Sequence, residues 1–364
     1  ISCLRPWYAL AFYENEARTC CWARQPIGKL ADFSSWQEIW NHPKLQEARD
    51  AMREGRQAEI CGDDCPFLRK ENNFHGAWER YPAWLTARGQ AEGWLPDLGP
   101  GQAEGWREEV ARLLPDKFRQ EQENMAGILR AAADGESVLD TRPAALDLHL
   151  SYRCNLHCVM CGKSDRDYRL HPPARQWAEE LLENLYQLCF SEGEPFYAPE
   201  MLEYLEHLRS LGPAQPRLSL VTNGLLATPE KLQGLRLGTV VFSVDGATRE
   251  TYRRIRGVDG LEQVLCNLQA VQRSRGWWRR PAILFQMVVM TSNFREIPRM
   301  ILLARRLGVG LRLLPVQFPP DHEEFVFNKP ERCGEMEKVL AEARQETASP
   351  ITRAGLDLIA RMLR

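Results

Sequence analysis

What this chain of 364 residues lacks narrows its class. It has almost no net charge, with 47 Lys and Arg against 49 Asp and Glu for a formal value of -2. Nucleic-acid binding ordinarily leaves a basic excess, so neither a nucleic acid nor a tRNA-modifying activity is expected. No apolar run approaches the roughly 18 residues of a membrane span, so no membrane partner is expected either. No charged-then-apolar leader opens the sequence, so a cytoplasmic location is expected, and the start at Ile1 without a Met hints at residues cut from upstream. Repeats are nearly absent. "GQAEGW" occurs only at 89–94 and 101–106, which is too few copies for a solenoid and reads as a Gly-rich linker.

Cysteine is plentiful, with 11 in the chain. Cys3, Cys20, Cys21, Cys61 and Cys65 lie in the first 65 residues, Cys154, Cys158 and Cys161 form "SYRCNLHCVMCGK", and Cys189, Cys266 and Cys333 are scattered. Short spacings in a chain of enzyme size favour metal over disulfides. Three thiolates without a fourth do not make a structural zinc site. They can hold three irons of a four-iron cluster and leave one iron open.

From 145 onward, short apolar runs alternate with amphipathic helices. Strands are predicted at 145–151, 186–191, 217–222, 239–244, 282–290 and 311–318. In "PEMLEYLEHLRSLG" the residues Met201, Leu202, Tyr204, Leu205 and Leu208 line one helical face. Alternation of this kind implies a parallel sheet. Six units fall two short of a closed eight-stranded barrel, so an open, partial (β/α)6 TIM barrel is expected, with its chemistry at the carboxyl ends of the strands.

The first 80 residues differ. Ser35 and Glu38 stand at capping-box spacing, ahead of a helix carrying Trp36, Ile39 and Trp40. A second helix runs from about Pro43 to Gly55, and eight of the 11 Trp residues precede residue 107. So small a module is expected to need a metal for stability. The expected division is a metal-binding module at 1–80, connecting segments at 81–143 including a helix from about 107 to 133, the partial barrel at 144–318, and C-terminal helices at 319–364.

"CNLHCVMC" resembles the cluster loop of the radical S-adenosylmethionine (SAM) superfamily. "SEGEPF", "LVTNG" and "FSVDGATRETYRRIRG" resemble three further segments of that family in the same order, across 144–318. The resemblance implies a 4Fe-4S cluster on Cys154, Cys158 and Cys161 whose open iron binds SAM. Reductive cleavage of SAM to a 5'-deoxyadenosyl radical, and hydrogen abstraction from a C–H bond, would follow. It further implies that Gly193, Glu194 and Pro195 hold the methionine amino group through backbone carbonyls, with Glu192 standing where the family has its first Gly. Thr222 and Asn223 would approach SAM, Ser243 and Asp245 would contact its ribose or carboxylate, and Arg256 would pair with the carboxylate.

The N-terminal stretch, with "CGDDC" at 61–65, resembles the auxiliary-cluster domain called SPASM or its shorter form, twitch. That resemblance implies a second 4Fe-4S cluster on Cys3, Cys61, Cys65 and one of the adjacent pair Cys20 and Cys21, with Cys21 preferred. Zinc fits the same four on spacing alone, and a zinc scaffold is the non-catalytic alternative. Cys189 and Cys266 read as packing. Cys333 is the candidate to return a hydrogen atom in an epimerase of a carbohydrate-type substrate. Dehydrogenation of a sugar or cyclitol, or modification of a ribosomal peptide, is the alternative. His322, Glu323 and Glu324 follow the last strand and read as a solvated loop, and "RGWWRRP" at 275–281 reads as packing on the opposite face. A small-molecule or peptide substrate and an electron donor such as flavodoxin or ferredoxin are the expected partners.

Overall fold

A computed structural model describes residues 3–20, 23–61, 115–162, 167–274, 281–316, 322–327 and 329–363. Its strands are β1 (Ala9–Tyr13), β2 (Glu16–Arg18), β3 (Gly28–Lys29), β4 (Ala145–Leu148), β5 (Gln187–Phe190), β6 (Arg217–Thr222), β7 (Leu237–Ser243), β8 (Ala282–Val289) and β9 (Gly310–Pro315). Among the described residues they form one sheet in the order β3-β2-β1-β4-β5-β6-β7-β8-β9. β4 to β9 run parallel, each beside the next. This is the partial α/β barrel expected from the alternation, with every predicted strand present and its ends shifted by a few residues at most.

Period-two burial explains the strands. In β6, Leu218, Leu220 and Thr222 are buried while Arg217, Ser219 and Val221 are only half-buried on the other face. The helix Pro199–Ser210 buries Met201, Tyr204, Leu205 and Leu208. Leu202, expected on the same face, is 38% exposed, because it lies a full helical step away from Met201.

The N-terminal segment departs from its expected separateness. β1 pairs in parallel with β4, Ala9 opposite Ala145, so it continues the barrel sheet by a seventh parallel strand. Trp7, Trp36 and Trp40 share one hydrophobic core with Leu146, Phe190 and Phe285. The β1–β2 connection is a two-residue turn with Glu14 and Asn15 both at positive φ, 53° and 59°, the type I′ form that matches strand twist. Asn15 fastens the turn to the start of the helix Pro172–Leu182, accepting from the His171 N–H at 2.8 Å.

The two predicted N-terminal helices are present as Trp36–Trp40 and Pro43–Glu54. Ser35 Oγ accepts from the Glu38 N–H, and Glu38 accepts from Ser34 rather than Ser35. Gly55, at φ 78°, ends the second helix. Arg49 of that helix is fully buried and donates to the carbonyls of Pro6 at 2.9 Å, Trp40 at 2.8 Å and Ser137 at 2.5 Å. Burial lowers its pKa to about 9. It thereby joins the N-terminal helices to the chain that leads into β4.

The connecting helix is Pro115–Asp134. Its predicted start near 107, both "GQAEGW" copies and "RGWWRR" lie outside the described residues. Two C-terminal helices, Pro330–Gln345 and Pro350–Met362, follow the sheet. The second lies on β9. A Cβ at Gly355 would stand 2.9 Å from Leu313 Cβ, and Thr352 donates to the Leu311 carbonyl at 3.0 Å.

Candidate functional site

Parallel strands end on one edge of the sheet, so the segments after β4, β5, β6 and β7 are delivered side by side. The first is the loop 149–161. It carries no regular structure beyond a turn in which the Cys161 N–H donates to the Cys158 carbonyl at 2.9 Å. Cys154 and Cys158 are mostly enclosed, Cys161 is exposed, and all three are free thiols. Burial pushes the Cys154 thiol up to about 11. It pushes Cys158 up as well, against the opposing pull of Arg256.

The second segment, after β5, leans on the first. Gly193 has φ 64°, and a Cβ there would lie 2.6 Å from the Ser151 carbonyl oxygen and 3.0 Å from that of Arg153. Only glycine fits so close a backbone approach. Glu192, where the family has its first glycine, is not among the described residues with positive φ, so the turn needs one glycine rather than two. The Glu194 N–H donates to the Arg153 carbonyl at 3.0 Å.

The Glu194 side chain is fully buried and acts as a brace. It accepts from the Thr222 hydroxyl at 2.8 Å, the Asn223 N–H at 2.8 Å and the Phe196 N–H at 3.3 Å. Thr222 also accepts from the Gly224 N–H. Asn223 reaches across to the cysteine loop, where its Nδ2 donates to Asn155 Oδ1 at 2.7 Å and lies 3.7 Å from Cys154 Sγ. Asn155, which sequence reasoning passed over, sits beside a ligand-type cysteine and is tied to a strand end. That adjacency was its only signal.

After β7, Asp245 is fully buried. It accepts from the Val288 N–H at 2.7 Å and forms an ion pair with Arg256 at 2.5 Å. Arg256 closes the helix Arg249–Arg256, which Gly257 stops at φ 75°. Its Nη1 donates to Cys158 Sγ at 3.4 Å. Burial works against the guanidinium charge, but Asp245 and Cys158 restore it and hold Arg256 above its ordinary value. The Val159 N–H donates to the Ile255 carbonyl at 2.9 Å, fixing the loop to the end of this helix. Ser243 ends β7 on the same edge, buried.

A further pair missed in the sequence lies at the ends of β4 and β5. His149 Nε2 is 3.0 Å from Ser191 Oγ, with the Tyr13 ring edge-on at 4.4 Å between centroids. Only the pairing of β1 with β4 brings Tyr13 there.

The other candidates lie elsewhere. Cys3, Cys20 and Cys61 are buried, and Ala23, bridged to Cys61, donates its N–H to the Cys20 carbonyl. Cys21 and Cys65 lie outside the described residues. Cys333 occupies the first turn of Pro330–Gln345, its thiol 3.5 Å from the Lys329 carbonyl. Cys189 takes a hydrogen bond from Gln187 at 3.2 Å, and burial raises it to about 12. Cys266, expected to pack, is exposed on its helix. Glu324 is engaged locally, accepting from the Ser292 N–H at 2.9 Å.

The residues of the cysteine loop suit an iron–sulfur cluster. They offer three free thiols on an irregular loop, two of them with N–H donors at sulfur. Among the described residues no group of three or more His, Cys, Asp or Glu side chains is placed to hold a single metal ion. A cubane does not ask for such a group, since each thiolate meets a different iron.

Comparison with known proteins finds relatives over about half of the chain. The chain is 30% identical over 178 residues to the AdoMet-dependent heme synthase of Methanosarcina barkeri, covering 46% of this chain and 48% of that protein. It is 28% identical over 183 residues to the PqqA peptide cyclase of Gluconobacter oxydans, covering 47% and 49%. Streptococcus suis SuiB bound to S-adenosylmethionine aligns with a TM-score of 0.44 at 13% identity, over 65% of this chain and 56% of that one. The chain thus spans about half the length of the curated relatives it matches. Residues 148–304 match the model of the radical SAM superfamily.

Proposed function

We propose that this chain cleaves SAM reductively and uses the resulting radical to take a hydrogen atom from a C–H bond. The observation that supports it best is the cross-bonding of three strand-end segments to one another and to the cysteine loop, through Glu194, Asn223 and Arg256. Cys154, Cys158 and Cys161 hold the 4Fe-4S cluster. When bound and reduced, that cluster supplies the electron that splits the sulfonium bond of SAM. The backbone of Gly193, Glu194 and Pro195 would hold the methionine amino group, and Ser243 would contact the ribose or carboxylate. Thr222, Asn223 and Asp245, whose polar atoms are engaged within the protein, hold these segments in place. Orientation and exclusion of water are the protein's share of such chemistry.

Cys3, Cys61, Cys65 and Cys20 or Cys21 bind the auxiliary cluster in this reading. The substrate class divides two ways. Identity to a peptide cyclase supports a peptide. Carbohydrate epimerisation rests on Cys333 as the hydrogen donor.

Anaerobic purification with iron and sulfide counts, and an assay for 5'-deoxyadenosine released from SAM under dithionite, tests the reading. The parent is expected to carry about eight irons and a variant with Cys154, Cys158 and Cys161 changed to Ala about four, with release abolished in the variant. A parent without iron, or a triple variant that still releases 5'-deoxyadenosine, overturns it.

A further inference from the structure

Building on the proposed function, we propose that Arg256, positioned by Asp245, sets the reduction potential of the cluster by donating a charge-assisted hydrogen bond to the Cys158 thiolate. The resemblance alone gives Arg256 to the SAM carboxylate. The geometry gives it a prior engagement, since Nη1 is 3.4 Å from Cys158 Sγ and Nη2 is 2.5 Å from Asp245.

Four observations show that this is a built arrangement. Arg256 is 7% exposed and Asp245 fully buried, so solvent barely screens the pair. The backbone carrying Arg256 is fixed to the cysteine loop by the Val159–Ile255 hydrogen bond. Asp245 is held from two sides, by the Val288 N–H on its carboxylate and by Asn293, whose Nδ2 donates to the Asp245 carbonyl at 3.0 Å. Asn293 is in turn fixed, accepting from the Met290 N–H at 2.8 Å.

A buried ion pair adds little stability for the desolvation it costs, so its place beside a thiol calls for another role. Hydrogen bonds to cluster sulfurs and nearby charge are the means by which a protein tunes such a potential. Reduction adds negative charge to the cluster. A cation donating at Cys158 favours the reduced form and raises the potential, while the Asp245 carboxylate behind it moderates that rise. Asn223, 3.7 Å from Cys154, is a weaker neutral counterpart at the second thiolate. Arg256 is therefore a positioning and tuning residue, and it acts before SAM is present.

The test is a redox titration of the reconstituted full chain without SAM, followed by electron paramagnetic resonance, with iron and sulfide counted in each sample. Arg256→Gln is expected to shift the potential of the SAM-site cluster to a more negative value, and Arg256→Lys to fall between Gln and the parent. A full cluster in Arg256→Gln at the parent potential overturns the inference while leaving the proposed function standing. If Arg256→Gln fails to take up the cluster, Arg256→Lys decides. It keeps the positive charge but loses the planar fork that bonds Asp245 and Cys158 together, so a potential below the parent is expected. A full cluster in Arg256→Lys at or above the parent potential overturns the inference. A parent chain that binds no iron overturns both readings.

Discussion

Gly193 shows how little tolerance the site allows a single residue. Its positive φ and the mere 2.6 Å that would separate a Cβ from the Ser151 carbonyl oxygen act together, and backbone strain of this kind costs about 1–3 kcal/mol. Gly193→Ala is expected to displace the 193–195 segment from the cysteine loop. Calorimetric titration of the loaded protein should show at least a tenfold loss of SAM affinity with the iron content kept. Glu194 works through three hydrogen bonds. Glu194→Gln presents an N–H₂ group to at least one neighbouring donor, and each buried group left unpaired costs about 1–3 kcal/mol. Thermal unfolding of the variant should show the corresponding loss, whereas an unchanged midpoint would mean that the segments hold without the brace. The cysteine trio, Asn223 and Asp245 were legible as residues because their order and strand-end placement resemble a known pattern. What Arg256 touches was not legible. Cys158 and Arg256 are 98 positions apart, and only the fold decides that they meet.

Elements were legible where burial follows a local period. The six strands from β4 to β9 alternate or run apolar between turn residues, and the Ser35 cap and Gly55 stop mark the ends of their helices in plain sequence. β1 was not legible as a barrel strand. "ALAFY" reads as apolar in any setting, and its partner lies beyond the whole N-terminal segment. The helix Pro350–Met362 covers the edge strand β9, where unpaired backbone would otherwise invite aggregation. Gly355 lets it approach, so Gly355→Val must push the helix outward. Overpacking of this kind costs about 1–3 kcal/mol, to be read from urea denaturation, with greater dye binding at the exposed edge.

At the scale of the molecule, the N-terminal segment and the barrel share a sheet and a core, and Arg49 joins them through three carbonyls. Arg49→Met leaves those carbonyls without their donor, at about 1–3 kcal/mol for each one that stays buried. A single cooperative unfolding transition at lower temperature is expected. Two separate transitions would show that the N-terminal segment is an independent unit after all.

The parallel pairing of β1 with β4 also sets an order of events during synthesis. Ala9 leaves the ribosome more than a hundred residues ahead of Ala145, the residue it must lie beside. Translation proceeds at about 5–20 residues per second, so the apolar strand Ala9–Tyr13 waits several seconds for its neighbour. Its first available partner is its own hairpin with β2, closed by the Glu14–Asn15 turn. That hairpin shields one edge of the nascent strand and leaves the other open for the barrel to grow from.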